Sequence, residues 1–360
     1  MNITNAYQEQ IACTVDKYFA SFTSIESLSD FFKKELELKQ NINFTTLKEK
    51  VKKSLESNVC DIFNDHKITF IVFLKKQKIK VYVSSLLKGE SYNLYRVANL
   101  QKKKIKVLKS QGDLLSRQND SRKVEKELSI LNSINLSLKK FGKISKVILP
   151  TCVAFKMPKM DGDYFDNFKL IHALSIKDKL KAFNSILQDF LSLNENQWIV
   201  GDIKLDNILI KQIDDQLNLS LCDFGGCWNK NDIKDLKSDR LFPFETTTTS
   251  ILLSDVAVME KYYQHPENNK FDLPDFFEKM DIFMLGIAFF EFLTAQSPYG
   301  FTKYNKTLFL DPEQLNVNNL KDLNINEKIA AIITAMIHPS YEERCSINEI
   351  QQLVSLIQKE

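Results

Sequence analysis

The spacing of hydrophobic and polar positions divides the chain into three parts. Residues 1–66 carry apolar residues at about helical spacing in a polar background. Residues 68–74 and 79–87 are rich in β-branched and aromatic residues and predict strands. Helical spacing returns in the second half of the chain. The pattern therefore predicts an α+β protein in which a helical N-terminal extension (1–66) is followed by a β-rich part and then by a helical part.

The middle of the helical part contains one interruption. Two short apolar runs, at 207–210 and 217–222, flank a polar turn and predict a β-hairpin. Folding of a hairpin brings the residues that enter its first strand close to the residues that leave its second strand. Polar residues at both of these points should therefore lie together.

Four such polar residues are Asp202, Lys204, Asn207 and Asp223. A carboxylate and an amide oxygen are ligands suited to Mg²⁺. A second carboxylate can orient a hydroxyl group and accept its proton, and an ammonium group can neutralise a phosphate. This set of side chains favours phosphoryl transfer.

Two motifs in this stretch resemble those of eukaryotic-type protein kinases. Asp202-Ile-Lys204-Leu-Asp-Asn207 resembles the catalytic loop, and Asp223-Phe-Gly225 resembles the metal-binding triplet. The resemblance implies that Asp202 is the catalytic base, that Lys204 neutralises the γ-phosphate, and that Asn207 and Asp223 hold Mg²⁺. The D-x-K-x-x-N spacing is similar to the Ser/Thr branch of the family.

The β-rich part supplies an ion pair by the same resemblance. Lys109 stands where the family has the lysine that contacts the α- and β-phosphates, and it shares its side of the strand with Val107. Glu127 lies on the apolar face of a predicted helix with Leu128 and Leu131 and therefore needs a partner. The helix resembles the C-helix of the family, which implies a Lys109–Glu127 pair.

The other expected contacts with ATP also follow from the resemblance. Gly89 is the one glycine kept in the phosphate-covering loop, where Leu87 and Tyr92 replace the outer two. Met157 is the expected gatekeeper before the hinge. The full set of predicted ATP-binding residues is Gly89, Leu94, Val107, Lys109, Glu127, Pro158, Met160, Asp163 and Leu209.

The segment after the catalytic loop departs from the family pattern. Gly201 replaces the arginine that precedes the catalytic aspartate, so a phosphate on the activation segment loses its usual partner. We expect that segment to end at His265-Pro266-Glu267, with Glu267 paired to Arg344. Glu260 then stands where the family often has a threonine.

A second feature of the helical part is the apolar helix that begins near Asp281. Asp281 is expected to hydrogen-bond the backbone of the catalytic loop, as in the family. The helix is apolar on all sides, which is typical of a helix buried in a large lobe.

Composition limits the other classes of function. The formal charge of +3 does not by itself indicate a nucleic-acid partner. The six cysteines form no C-x-x-C pair, which favours reduced thiols in a cytoplasmic protein. The most apolar stretch, 282–293, is too short to span a membrane and contains Glu291.

The resemblance covers residues from about 75 to 357 and implies a bilobal kinase-like fold. The implied fold has a small β-rich N-lobe (67–160) with one key helix, a larger helical C-lobe (161–360), and ATP bound between them. The implied activity is transfer of the γ-phosphoryl of Mg·ATP to Ser or Thr hydroxyls of a protein substrate. Two alternatives stay open: a pseudokinase scaffold without turnover, and a kinase of small molecules or lipids. The N-terminal helices either pack on the small lobe or dock a partner.

Overall fold

The protein is described from a computed structural model. The structure describes residues 3–20, 34, 36, 43–57, 61–65, 68–75, 78–89, 93–99, 105–110, 122–148, 153–214, 216–233, 251–264, 272–304 and 307–360. The chain divides into two compact units. The first comprises Met1–Ser129 and Gly142–Lys159, and the second comprises Ile130–Phe141 and Met160–Glu360.

The first unit is built on one antiparallel sheet with the strand order β1-β2-β3-β4-β5-β7-β6. Its strands are β1 (Asp61–Asp65), β2 (Ile68–Lys75), β3 (Lys78–Gly89), β4 (Asn93–Asn99), β5 (Ile105–Ser110), β6 (Ser145–Ile148) and β7 (Val153–Pro158). Strand β1 lies inside the segment 1–66 that was expected to be helical, so this expectation is wrong for its last residues. The backbone of β1 pairs with β2 from Asp61 opposite Val72 to Asp65 opposite Ile68, which extends the sheet at its edge.

Helices from the N-terminal extension pack on one face of this sheet. They are α1 (Ile3–Ala20) and α2 (Phe44–Ser57). Val15 and Val51, one from each helix, join a buried cluster with Phe70, Val83 and Ala98 of the sheet. Val83 lies opposite Ala98 across β3 and β4, so side chains of one parity form this contact surface. The first unit also supplies most of α3 (Arg122–Ser133).

The second unit is mainly helical. Its helices are α4 (Phe168–His172), α5 (Ile176–Glu195), α6 (Lys230–Ile233), α7 (Leu253–Gln264), α8 (Leu273–Thr294), α9 (Asn318–Asp322), α10 (Glu327–Met336) and α11 (Ile347–Ile357). Its strands are β8 (Trp198–Ile199), β9 (Ile208–Ile213), β10 (Gln216–Leu221), β11 (Trp228–Asn229), β12 (Phe301–Tyr304) and β13 (Thr307–Leu310). They form the antiparallel pairs β8–β11, β9–β10 and β12–β13.

Helix α8 forms the core of the second unit. The side chain of Asp272 caps its start by accepting the N–H of Asp275, and Pro274 lies in its first turn. All of its residues from Met280 to Phe290 are buried, including Asp281. At Gly286 a Cβ atom would lie 2.7 Å from a side-chain atom of Met336, so only glycine allows this close packing. Among the described helices, none is long and apolar enough to cross a membrane.

Candidate active site

The β9–β10 hairpin forms where the alternation of apolar residues predicts it. Its ladder runs from Ile208 opposite Leu221 to Ile213 opposite Gln216. Below the first pair, the N–H of Cys222 donates to the carbonyl oxygen of Asn207 at 3.0 Å. This hydrogen bond places Asn207 beside the residue that precedes Asp223.

Three of the four predicted polar residues are in direct contact. Oδ2 of Asp202 accepts hydrogen bonds from Nζ of Lys204 at 3.0 Å and from Nδ2 of Asn207 at 2.9 Å. Nδ2 of Asn207 also donates to the backbone oxygen of Asp202 at 2.9 Å. Ile203 and Leu205 are buried and anchor the loop between these residues. The side chains of Asp202, Lys204 and Asn207 thus form one hydrogen-bonded group.

The electrostatics of this group follow from its partial burial. Burial raises the pKa of Asp202, while the neighbouring Lys204 ammonium and the hydrogen bond from Asn207 act in the opposite direction. Both contacts fall on Oδ2, which leaves Oδ1 of Asp202 to accept a proton from another group. Asp202 is therefore held in one orientation with one oxygen committed and one available.

The backbone before Asp202 is held by helix α8, which confirms the expected role of Asp281. The N–H groups of Val200 and Gly201 donate to the two carboxylate oxygens of Asp281 at 2.6 and 2.8 Å. Burial raises the pKa of Asp281 to about 7, although both hydrogen bonds act to lower it. Gly201 has φ +75°, a left-handed conformation that a side chain disfavours.

Asp223 adopts an unusual backbone conformation at the end of β10. Its φ is +65°, which is uncommon for a residue other than glycine and frequent at functional sites. The next residue, Phe224, is fully buried. The buried ring fixes the chain directly after Asp223, and the hydrogen bond at Cys222 fixes it directly before.

Asn207 and Asp223 fit a magnesium site. The amide nitrogen of Asn207 is committed to Asp202, so its oxygen is the atom left for a metal. Among the described residues there is no group of three or more His, Cys, Asp or Glu residues that could hold a metal. A pair of oxygen ligands agrees with the way Mg²⁺ binds, because it usually takes one or two carboxylates and completes its shell with phosphate and water.

The predicted ion pair of the first unit is present. Nζ of Lys109 lies 2.8 Å from Oε2 of Glu127, and both side chains are nearly excluded from solvent. Lys109 lies in β5 opposite Leu94 of β4 and Phe155 of β7. The pair therefore connects the centre of the sheet to helix α3, as the apolar face around Glu127 predicted.

The remaining predicted ATP contacts lie in strands or directly after them. Gly89 ends β3 opposite Asn93, while Tyr92 lies outside the described residues. Val107 lies opposite the buried Met157, the predicted gatekeeper. Pro158, the last residue of β7, and Met160 are buried. The contacts of Pro158 and Met160 with adenine stay predictions.

Asp163 and Leu209 are brought together by an isolated antiparallel bridge. Oδ1 of Asp163 accepts the N–H groups of Phe165 and Asp166 at 2.9 and 3.0 Å, so it stabilises the turn before α4. The predicted contact of Asp163 with ribose stays a prediction, and Oδ1 is already occupied by these two donors.

The comparison with known families decides what this arrangement is. The family model described as "Protein kinase domain" matches residues 82–354, about three quarters of the chain. The chain belongs to the protein kinase family. A search of curated protein sequences found no significant match.

Solved kinase structures show the same fold. The Rad53 kinase domain, from a crystal structure of "Rad53 kinase domain and SCD2", aligns with a TM-score of 0.50 at 14% identity, covering 77% of this chain and 97% of that chain. Rad53 1–466 in complex with AMP-PNP aligns with a TM-score of 0.51 at 16% identity, covering 84% of this chain and 68% of that chain. These likenesses confirm the predicted α+β, bilobal kinase-like fold.

The predicted partner of Arg344 is wrong for this kinase. Arg344 pairs with Asp255 in the first turn of α7, and one guanidinium nitrogen lies 2.9 and 2.8 Å from the two carboxylate oxygens. Both residues are buried. Glu267, the expected partner, lies outside the described residues. The cause of the error is the sequence His265-Pro266-Glu267, which resembles the family motif. It comes after the end of α7, whereas the residue that pairs with Arg344 lies at the start of that helix.

The correction changes the register of the activation segment. Leu253-Ser254-Asp255 now takes the place of the family motif that pairs with this arginine. The residue seven positions earlier is Thr248, a threonine as in the family, and not Glu260. Thr248 itself lies outside the described residues, as does the rest of 234–250. The apparent departure at Glu260 was a consequence of the wrong register.

Two further polar contacts were missed. Lys230, directly after β11, forms an ion pair with Glu278 of α8, and Nδ2 of Asn194 donates to the same carboxylate at 2.8 Å. Asp189 is buried in α5. For Asp189 a signal existed in the sequence, because it lies three residues after Ile186 on an apolar helix face, as Glu127 lies beside Leu128. For Lys230 and Glu278 we find no local signal.

Proposed function

We propose that this kinase is active and transfers the γ-phosphoryl group of Mg·ATP to Ser or Thr hydroxyls of a protein substrate. The observation that carries the proposal is the hydrogen-bonded group of Asp202, Lys204 and Asn207, in which one oxygen of Asp202 receives both contacts. This group brings a base, a cation and a metal ligand into contact, which is the arrangement that phosphoryl transfer requires.

Each residue has a distinct role in the proposed reaction. Oδ1 of Asp202 accepts the hydrogen of the substrate hydroxyl and orients its oxygen for attack. Lys204 binds the transferred phosphate and balances its charge. The elevated pKa of Asp202, caused by burial, makes it a better proton acceptor than an exposed carboxylate.

Asn207 and Asp223 would hold the magnesium ion that accompanies ATP. The ion, when bound, supplies positive charge against the phosphate oxygens. The left-handed backbone of Asp223 and the committed amide nitrogen of Asn207 prepare these two oxygen donors before any ligand arrives. Lys109, oriented by Glu127, would contact the α- and β-phosphates.

A pseudokinase is the second candidate, and one observation favours it. Leu87 and Tyr92 stand where the family has the outer glycines of the phosphate-covering loop. Side chains at these points limit close approach of the backbone to phosphates. Gly89 keeps the middle position. This favours weaker nucleotide binding more directly than it favours a complete loss of turnover.

The test is phosphate transfer by purified protein with labelled ATP, Mg²⁺ and generic basic and acidic protein substrates. Asp202→Asn should lower the rate at least hundredfold, about 2.7 kcal/mol of barrier, while nucleotide binding is kept. Asp223→Ala should instead weaken Mg²⁺-dependent nucleotide binding. Asp214→Asn is the matched control, since Asp214 is an exposed acid at the turn of the same hairpin.

Two outcomes would overturn the proposal. Wild-type protein that binds nucleotide but transfers no phosphate to any protein would be a pseudokinase. Asp202→Asn that works as fast as wild type would mean that Asp202 is not the base. Labelling of Ser and Thr against Tyr, measured by phosphoamino-acid analysis, tests the predicted specificity.

A further inference from the structure

One buried carboxylate outside the active site lies where three elements meet. Asp189 is on the buried face of α5, where Phe183, Ile186 and Phe190 are excluded from solvent, and its own side chain is 2% exposed. A carboxylate in such a place costs several kcal/mol unless donors surround it. The identity of its donors therefore shows what the residue holds.

The donors come from two other elements. Oδ1 of Asp189 accepts the backbone N–H of Ser137 at 2.6 Å. Oδ2 accepts the backbone N–H of Leu221 at 3.2 Å and the hydroxyl of Ser220 at 3.4 Å. Each carboxylate oxygen thus serves a different segment of the chain. Such hydrogen bonds to a charged acceptor are stronger than those between neutral groups.

Both segments connect to predicted catalytic residues. Ser137 opens the 3-10 turn 137–141 that follows α3, the helix that carries Glu127. Leu221 ends β10, and Asp223 follows two residues later. The next N–H, that of Cys222, is held by the carbonyl of Asn207. Two consecutive N–H groups before Asp223 are therefore fixed, one by Asp189 and one by a predicted metal ligand.

The conformation of Asp223 makes this support necessary. A left-handed φ of +65° at an aspartate carries strain, and it persists only when the surrounding chain is fixed. The hydrogen bond from Leu221 to Asp189 fixes the strand immediately before this strained residue. If it is lost, the backbone of Asp223 can relax and its carboxylate moves away from the position prepared for the metal.

We propose that Asp189 is a positioning residue that joins the turn after α3 to the backbone that orients Asp223. Its effect on catalysis rests on the proposed function, but the coupling between the two segments does not. Asp189 is not among the proposed catalytic residues and acts through the backbone N–H groups of Ser137 and Leu221, with the hydroxyls of Ser137 and Ser220 as further donors. Burial raises its pKa to about 6, and the N–H groups of Ser137 and Leu221 oppose that rise, which agrees with a carboxylate that these donors stabilise.

The test uses Asp189→Asn in the full-length chain, because an amide has one oxygen and can accept only one of the two N–H groups well. We expect the Mg²⁺ concentration for half-maximal binding of a fluorescent ATP analogue to rise at least fivefold, and kcat to fall at least tenfold. Hydrogen exchange should become faster in both peptides, 134–141 and 217–226. All measurements are made well below the unfolding temperature of both proteins.

Ser185→Ala is the matched control. The hydroxyl of Ser185, also on α5, donates to the carbonyls of Leu219 in β10 and of Ala182 at 2.9 Å, and neither hydrogen bond involves Asp189. Its loss removes another contact between the same two elements. We expect no change of exchange at 134–141 and a Mg²⁺ midpoint within twofold of wild type.

A variant that cannot fold would not decide the question, so Ser137→Ala is the second variant. It keeps the backbone N–H but removes the hydroxyl that also hydrogen-bonds Asp189. The proposal expects faster exchange at 217–226, which lies beside the 3-10 turn and shares the carboxylate of Asp189 with Ser137, and a Mg²⁺ midpoint shifted about twofold.

The outcomes separate this inference from the proposed function. A folded Asp189→Asn protein with a lower Tm, an unchanged Mg²⁺ midpoint and no coupled exchange would show a structural role only and overturn the inference. Wild-type protein without phosphate transfer, combined with coupled exchange in the variants, would overturn the proposed function and leave the inference standing.

Discussion

Each unit of the molecule contains a buried ion pair, and the two pairs differ in what surrounds them. The guanidinium of Arg344 binds both oxygens of Asp255 and also donates to the backbone carbonyls of His338, Lys279 and Pro339. Its carbon centre lies 4.5 Å from the ring centroid of Phe283. The Lys109–Glu127 pair joins β5 to helix α3, with Nζ of Lys109 2.8 Å from Oε2 of Glu127.

The difference indicates two uses of the same chemistry. Arg344 donates hydrogen bonds to several backbone segments, so its loss leaves a buried acid and several carbonyls without a donor. Lys109 and Glu127 fix each other's position, and an ammonium so placed is suited to meeting a phosphate. We infer that the first pair mainly contributes to stability and the second mainly to activity.

The largest effect on the free energy of unfolding should come from Arg344→Ala. Removal of one partner leaves Asp255 charged in a buried site, which costs about 3–5 kcal/mol. Urea unfolding should show this loss in the free energy of unfolding, and Asp255→Ala should give a similar value. A double-mutant cycle between the two residues should show coupling of more than about 1 kcal/mol. A loss below about 1 kcal/mol would remove the distinction between the pairs.

The Lys109→Met/Glu127→Leu double variant should have the opposite effect, with little change in stability and a large loss of activity. Replacement of both members of a buried ion pair by apolar residues of similar size is often neutral for stability. The free energy of unfolding should therefore change by less than about 1 kcal/mol, while phosphate transfer falls at least hundredfold, about 2.7 kcal/mol of barrier. If this variant unfolds as easily as Arg344→Ala, the pair in the first unit is structural as well.

The Arg344–Asp255 pair also determines how the activation segment aligns with the family pattern. Replacement of hydroxyl residues in that segment tests the alignment. Thr248→Ala should lower the rate more than tenfold, because Thr248 now stands where the family has a threonine beside the catalytic loop. Simultaneous replacement of Thr246, Thr247, Thr249 and Ser250 by Ala should change the rate by less than tenfold, about 1.4 kcal/mol. Gly201 offers no cation to a phosphate on these residues. Equal losses in both variants would contradict the new register.

The smallest effect on stability concerns Glu291, whose carboxylate has no hydrogen-bond or ion-pair partner among the described residues. Burial, assisted by the charge of Asp206, raises its pKa to about 7. The folded protein therefore binds a proton that the unfolded chain loses near pH 4, so this contribution to stability falls as the pH rises from about 4 through 7. Glu291→Gln should match the Tm of wild type at pH 5 and exceed it at pH 8.

We expect the difference at pH 8 to be about 1 kcal/mol, or about 2–4 °C, once screening by solvent is allowed for. Thermal unfolding at both pH values measures it. Asp189 and Asp281, with pKa values raised to about 6 and 7, contribute in the same direction and remain in both proteins, so the comparison isolates Glu291. A variant less stable than wild type at pH 8 would contradict this assignment.

Sequence reasoning succeeded where the deciding information is local. The hairpin was predicted because alternation and a polar turn define it within 20 residues, and its ends then place Asn207 next to Cys222. Glu127 was found because a charge on an apolar helix face demands a partner. Asp281 was found through its place in an apolar helix and its resemblance to the family.

Sequence reasoning failed where interacting residues are far apart in the chain. Asp255 and Arg344 are separated by 89 residues, and nothing near Asp255 marks it as a partner of an arginine. A nearby His-Pro-Glu sequence was a better match to the family motif and gave the wrong register. Asp189 bonds Ser137 and Leu221 at separations of 52 and 32 residues. Such contacts follow from packing, which a single sequence does not display.

The cluster that α1 and α2 form with the sheet has a practical consequence for protein production. The region that matches the kinase family begins at residue 82, inside β3 and one residue after the buried Val81. A truncated protein cut at that point would lack β1, β2 and both helices, and Val83 and Ala98 would face water. Exposed apolar surface on a sheet with an open edge promotes aggregation. The smallest soluble catalytic fragment should therefore begin near residue 3, well before the boundary that family membership suggests.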